Sequence, residues 1–289
     1  MKPITVLSLF DGISCGRVAL QRANIPVEKY YASEIDKYAI QVTQKNWPDT
    51  IQLGDVTKID FSKYAGEIDL LIGGSPCQDL STMGKRAGLE GEKSRLFYKY
   101  LEAKNIIKPK YFLLENNVGM PQEAYEKISE LMGCYPIEIN SARVSAQNRR
   151  RYYWTNIGPK QYNLYGFPTC DIPQPKDKKI EMQNILTSGY ATRKKTGALV
   201  VNGGDGKNRP SYKNLKQMWH RHNLHFLTLV LEEEGNPTSA RYLNRTERER
   251  LQTLPIGYTS CLDEKRAAGV IGNGWTVDVI AHIFKWMVE

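Results

Sequence analysis

Short apolar runs alternate with segments of helical periodicity through the first half of the chain. Residues 5–10 read as a first strand, followed by a turn through Asp11-Gly12 and a helix over 17–22. Residues 30–34, 50–53, 68–72 and 111–115 read as four further strands. Helical patterns over 37–46 and 96–107 lie between them. Strands alternating with helices imply right-handed crossovers, so the predicted fold is α/β, with a doubly wound, mostly parallel sheet.

The pattern changes after about residue 157. Pro159, Pro168, Pro173, Pro175 and Gly203-Gly204 interrupt periodicity across 158–240, where Trp219, Phe226 and several tyrosines could still build a small core. A helix is expected to start near 244–247, capped by Asn244 or Thr246, and residues 278–284 read as a helix returning to the first domain. The predicted division is therefore 1–157 with 264–289 as one domain, and 158–263 as a second, smaller, irregular subdomain.

Charge narrows the partners. The 289 residues carry 40 Lys and Arg against 31 Asp and Glu, a net charge of +9, which suits a polyanion such as nucleic acid. The five cysteines are scattered, with neither metal-ligand spacing nor a disulfide framework, so no metal is expected. No apolar run reaches the roughly 18 residues of a membrane helix. The first six residues lead directly into a strand pattern and leave no room for a signal peptide. A cytoplasmic protein is the expectation.

Candidate chemistry gathers at the predicted strand ends, where open α/β sheets bind ligands. Gly12 and Gly16 let backbone approach a ligand after strand one, but neither the G-x-G-x-x-G spacing nor a P-loop lysine is present. Glu34 ends strand two, where a carboxylate accepts from ribose hydroxyls; Asp55 ends strand three, where one accepts from an adenine amine. Either carboxylate serves equally as a helix cap. Three such tips in a row point to a nucleoside without phosphates, S-adenosylmethionine first among them. Strand four runs into Gly74-Ser75-Pro76-Cys77-Gln78, whose proline fixes the backbone beside a thiol on the sheet rim.

Taken in order, these residues resemble the DNA cytosine-5 methyltransferases over nearly the whole chain. The resemblance rests on Phe10-Asp11-Gly12, Gly74-Ser75-Pro76-Cys77-Gln78, Glu115-Asn116 and Gln147-Asn148-Arg149-Arg150-Arg151. Arg245-Thr246-Glu247, Arg250-Leu251-Gln252 and Gly272-Asn273 complete it. The compact second half and Gly274-Trp275-Thr276-Val277 are similar to the catalytic domain of eukaryotic de novo enzymes, while the lack of accessory domains points to a bacterial or phage enzyme. Two departures stand out: Asn117 intervenes before Val118, and Leu251-Gln252-Thr253-Leu254-Pro255 replaces Leu-Gln-Gly-Phe-Pro.

The resemblance implies an S-adenosylmethionine-dependent, Rossmann-like methyltransferase fold whose second subdomain recognises the target. Cys77 would bond carbon 6 of a flipped-out cytosine, assisted by Glu115, Asn116, Arg149 and Arg151. The methyl donor, which leaves as S-adenosylhomocysteine, would be held by Phe10, Asp11, Gly12, Ile13, Cys15 and Gly16, by Glu34, Ile35, Asp55 and Val56, and by Gly74, Pro76, Gln78 and Leu96. Asn273, Gly274 and Trp275 would complete that pocket. Double-stranded DNA would meet Ser81, Lys85 and Arg86 on a closing loop over 79–94, and Arg193, Lys194, Lys195, Arg209 and Arg221 in the recognition region. The Cys-Phe-Thr tripeptide typical of the tRNA-methylating branch is missing from that loop. A catalytically silent DNA-binding homologue is the other alternative, against which Cys77, Glu115, Arg149 and Arg151 speak. A cognate restriction endonuclease or a homodimer, and the DNA sequence methylated, are left open.

Overall fold

The computed structural model describes residues 2–75, 96–162, 168–180, 185, 199–201, 228–233 and 236–288. Its centre is a seven-stranded sheet in the order β3-β2-β1-β4-β5-β7-β6. The strands are β1 (Ile4–Leu9), β2 (Val27–Ser33), β3 (Ile51–Gln52), β4 (Leu70–Gly74), β5 (Tyr111–Asn117), β6 (Ile137–Asn140) and β7 (Arg150–Thr155). The first five are parallel; β7 runs antiparallel between β5 and β6. This is a Rossmann-like α/β fold, as the alternating pattern predicts.

Alternate residues of each strand feed the two faces of the sheet. Val6, Ile72 and Leu113 join one core with α1 (Cys15–Arg22), α2 (Lys37–Asn46) and the last helix, Val277–Lys285. Leu7, Leu71 and Leu114 join the other with α3 (Leu96–Ile107) and α4 (Gln122–Met132). A cap fixes where α2 starts: Asp36 accepts from Tyr38 N–H at 2.8 Å. The last helix lies against α1, tied by an Arg22–Asp278 ion pair at 2.6 Å.

Strand ends differ from the sequence expectation by one to three residues, and one of these shifts bears on the site. Strand four is β4, running to Gly74 rather than ending at Ile72. Gly73 and Gly74 are both strand residues, and each makes a close approach that a side chain would block. A Cβ on Gly73 would sit 2.9 Å from the Tyr100 ring.

Beyond β7, a two-stranded sheet pairs β8 (Lys160–Tyr162) with β9 (Pro168–Cys170), and an antiparallel sheet joins β10 (Leu199–Val201), β11 (Thr228–Glu233) and β12 (Asn236–Tyr242). Helix α5 (Arg245–Leu251) starts with a capping box between Asn244 and Glu247, so Asn244 rather than Thr246 is the cap. Buried Glu249 then organises the loop that follows, accepting from Gly257 N–H at 2.7 Å and from Thr259 N–H at 2.8 Å. That loop delivers Tyr258, whose hydroxyl donates to the Ile13 carbonyl at 2.8 Å and accepts from the Trp47 indole at 3.0 Å. Helices α6 (Glu264–Asn273) and α7 (Val277–Lys285) complete the chain. Among the described residues no helix is long and apolar enough to cross a membrane.

Candidate active site

The turn after β1 is held in an unusual backbone shape. Phe10, Gly12 and Ser14 have φ of 57°, 58° and 56°, so two non-glycine residues sit in the left-handed region. Side chains offset the strain. Ser14 Oγ donates to Asp11 Oδ2, and Tyr30 OH donates to Asp11 Oδ1 at 2.8 Å. Gly12 N–H donates to Glu34 Oε2 at 2.7 Å, while Glu34 Oε1 accepts from Ile35 and Asp36 N–H at 2.8 and 2.9 Å. Burial pushes the Asp11 carboxyl up to about 6, against the hydrogen bonds from Ser14, Ser8 and Tyr30, with Glu34 adding to the rise.

A nucleoside-bearing methyl donor fits this edge. Space around the Gly12 α-carbon is open, and Ile35 is 76% exposed beside Glu34, an apolar plate next to a carboxylate. Asp55 caps a short turn that buries Val56: its Oδ1 accepts from Thr57 N–H at 2.9 Å and Thr57 Oγ1 at 2.8 Å. Cys15 packs in the core, where burial pushes its thiol up to about 12 and leaves it unreactive. Gly16 presses α1 onto β4; a Cβ there would overlap Ile72. Leu96 opens α3, and Asn273 is exposed at the end of α6.

The neighbouring edge is built around Glu115 at the end of β5. Arg151 Nε lies 2.9 Å from Glu115 Oε1, and Trp275 Nε1 donates to Glu115 Oε2 at 3.2 Å. Register explains the first contact: Asn117 pairs with Arg151 and Glu115 with Tyr153 across β5 and β7. Gly74 lies opposite Glu115 on β4, and a Cβ there would come within 2.9 Å of Glu115 Oε2 and 3.0 Å of Trp275 Nε1. Only glycine leaves room for both groups. Asn116 is buried, donating from Nδ2 to Ser75 Oγ at 3.1 Å and accepting from Asn117 N–H at 2.8 Å. It therefore anchors the strand end that carries Glu115 to the strand end that precedes Cys77 in sequence.

Arg149 lies one residue ahead of β7 and donates to the Gly274 carbonyl at 3.0 Å. Burial lowers its pKa to about 10, with Arg151 adding to the fall and Glu115 opposing it, so it is a cation at neutral pH. A buried polar network fixes the segment beyond. Gln147 Nε2 donates to the Leu251 carbonyl at 2.7 Å and Gln252 Oε1 at 2.8 Å, while Thr276 Oγ1 donates to the same Gln252 oxygen at 2.8 Å. Gln252 Nε2 closes the ring on the Gly274 carbonyl at 3.1 Å.

The structure thus brings together Glu115, Asn116, Arg149, Arg151, Gly74, Gly274 and Trp275 on one edge, and Phe10, Asp11, Gly12 and Glu34 on the next. Pro76, Cys77, Gln78, Ser81, Lys85, Arg86, Arg193, Lys194, Lys195, Arg209 and Arg221 lie outside the described residues, as does the whole 79–94 loop. Among the described residues no cluster of three or more His, Cys, Asp or Glu side chains forms a metal site. Sequence reasoning assigns no role to Ser14 and Tyr30, which meet Asp11 across 3 and 19 residues, or to Thr276, whose quoted segment gives no hint that it donates to Gln252.

The family model for C-5 cytosine-specific DNA methylases matches residues 4–203. The chain is similar to the orphan methyltransferase M.Rho11sI of Bacillus phage rho11s, 41% identical over 122 residues that span 42% of this chain but only 24% of that longer protein. It is 27% identical to the type II methyltransferase M1.ScrFI of Lactococcus lactis subsp. cremoris, across 98% of this chain and 78% of that one. The crystal structure of S. pombe Dnmt2 methyltransferase shares the fold, with a TM-score of 0.68 at 16% identity over 99% of this chain and 98% of the other.

Proposed function

The chain belongs to the C-5 cytosine-specific DNA methylase family, and from that premise we propose that it transfers a methyl group from S-adenosylmethionine to carbon 5 of a cytosine flipped out of duplex DNA. The observation that carries this reading is the Glu115 carboxylate, fixed at one oxygen by Arg151 and at the other by Trp275, on the strand next to the one that leads into Cys77.

Carbon 5 of cytosine is a weak nucleophile, and covalent catalysis overcomes this. The Cys77 thiolate adds to carbon 6, and the electron pair displaced from the 5,6 double bond makes carbon 5 enamine-like. Glu115 hydrogen-bonds the ring nitrogen and exocyclic amine, sharing a proton as negative charge builds on the ring. Arg151 holds Glu115 in place and offers its remaining N–H groups to the cytosine carbonyl. Arg149, still charged at neutral pH, adds positive potential that favours the thiolate. When bound, S-adenosylmethionine supplies an electrophilic methyl group. The carbon 5 proton then leaves to water, the carbon–sulfur bond breaks, and aromaticity and the thiolate return together.

The donor pocket is assigned to Phe10, Asp11, Gly12 and Glu34, with Ile35 as its apolar plate. A nucleoside hydroxyl would take over the Glu34 oxygen that the Gly12 N–H now occupies, or share it. Target recognition is assigned to 158–263, whose basic residues suit phosphate contacts, and the catalytic domain to 1–157 with 264–289. Unmethylated duplex DNA containing 5-fluorocytosine tests the chemistry, because fluorine cannot leave as a proton does and the adduct persists. The expected result is a protein–DNA complex that survives denaturation, forms only with the cofactor present and disappears in Cys77→Ala. No such complex with wild-type protein would overturn the reading.

A further inference from the structure

Trp275 reads from sequence as a wall of the donor pocket, but its polar atom points elsewhere. The indole N–H faces Glu115 Oε2 at 3.2 Å, while the ring's far edge reaches the donor side, with Cζ3 3.5 Å from where a Cβ on Gly16 would stand. We propose that Trp275 is a positioning residue for Glu115, and that its indole is the physical link between the methyl-donor pocket and the carboxylate that reads the base. This rests on the methyltransferase reading above and assigns a role within the same site.

Three observations carry it. First, Glu115 has two oxygens and each meets one donor, from a different element: Arg151 on β7 and Trp275 between α6 and α7. An indole N–H is donor only, so it can hold a carboxylate oxygen without competing for the base's donors. Each oxygen keeps a lone pair for the base edge.

Second, the indole is hemmed in. Gly74 lacks the Cβ that would crowd it, 3.0 Å from Nε1, and the far edge of the ring lies in ordinary contact range of Gly16, where a Cβ would stand 3.5 Å from Cζ3. Third, the backbone on both sides of the ring is pinned. The Gly274 carbonyl accepts from Arg149 and Gln252, and Thr276 is tied to Gln252 and Gln147. A wall residue needs a ring; it does not need its N–H aimed at a carboxylate through a gap that only glycine leaves.

Trp275→Phe keeps the ring and removes the N–H. Methyl transfer to unmethylated plasmid DNA should fall about 10-fold in kcat, because one of two charge-assisted restraints on Glu115 is gone. The Kd for S-adenosylhomocysteine, read by calorimetry, should stay within about twofold. A readout independent of activity is the indole N–H resonance in a proton–nitrogen spectrum of the ligand-free protein. The peak that Trp275→Phe deletes should move upfield in Glu115→Gln, where a neutral amide replaces the carboxylate.

Gly74→Ala supplies a second variant should Trp275→Phe not fold. Its methyl group separates the two atoms, moves the same peak and lowers kcat. A kcat within twofold of wild type in Trp275→Phe, weakened cofactor binding with kcat unchanged, or an indole peak unmoved in Glu115→Gln each overturns the assignment. Absence of cytosine methylation by the wild-type protein would sink the functional reading alone, since the resonance test still decides whether the indole holds the carboxylate.

Discussion

The donor edge and the base edge of the sheet are built on different principles. At the donor edge most restraints are local: Ser14 to Asp11, Ile35 and Asp36 to Glu34, and Thr57 to Asp55 span one to three residues. At the base edge they are remote. Glu115 meets Trp275 across 160 positions, Arg149 meets Gly274 across 125, and Gln147 meets Leu251 across 104. A pocket made of turns and caps forms wherever its own segment folds. A carboxylate clamped by two elements remote in sequence exists only in the complete fold, so the base edge reports on the whole structure.

That contrast predicts unequal costs. Arg151→Gln should be the most damaging of the described residues, leaving a nearly buried carboxylate with one partner. The loosened carboxylate no longer meets the base in fixed geometry, so kcat for methyl transfer should fall about 10²–10³-fold. Gln252→Leu removes the hub of the buried network, and urea unfolding should show a loss of about 2–3 kcal/mol.

The donor edge should respond more mildly. The folded protein holds the Asp11 proton more tightly than the unfolded chain does, with a pKa of about 6 against the ordinary 3.8. Its contribution to stability is therefore full below pH 4 and is lost as pH rises through 6. Wild type should lose stability over that window in urea unfolding, whereas Asp11→Asn should lack this slope. Asp55→Ala removes one cap and should lower the urea midpoint only slightly, the smallest effect of the set. A base-edge variant as mild as Asp55→Ala would break the contrast.

The same division explains what was legible in the chain. The helices over 37–46 and 96–107 were readable to the residue, because a cap or an apolar period marks them locally. Asp55 was readable only as far as its two alternatives, and the structure shows the cap. The end of β4 was not readable, since nothing local shows that the strand runs on through Gly74 until Tyr100 and Trp275 are packed against the two glycines. Glu115, Asn116, Arg149 and Arg151 were found through the family resemblance; nothing local announces that Arg151 reaches Glu115, which β-pairing register alone decides. The Trp275 bond had no signal in one sequence at all.

Bisulfite sequencing of plasmid from cells expressing the protein tests the central claim most directly. The account predicts conversion-resistant cytosines at one short sequence with the wild-type chain, and none with Cys77→Ala. Full conversion with wild type, or the same resistant sites in the alanine variant, would contradict it.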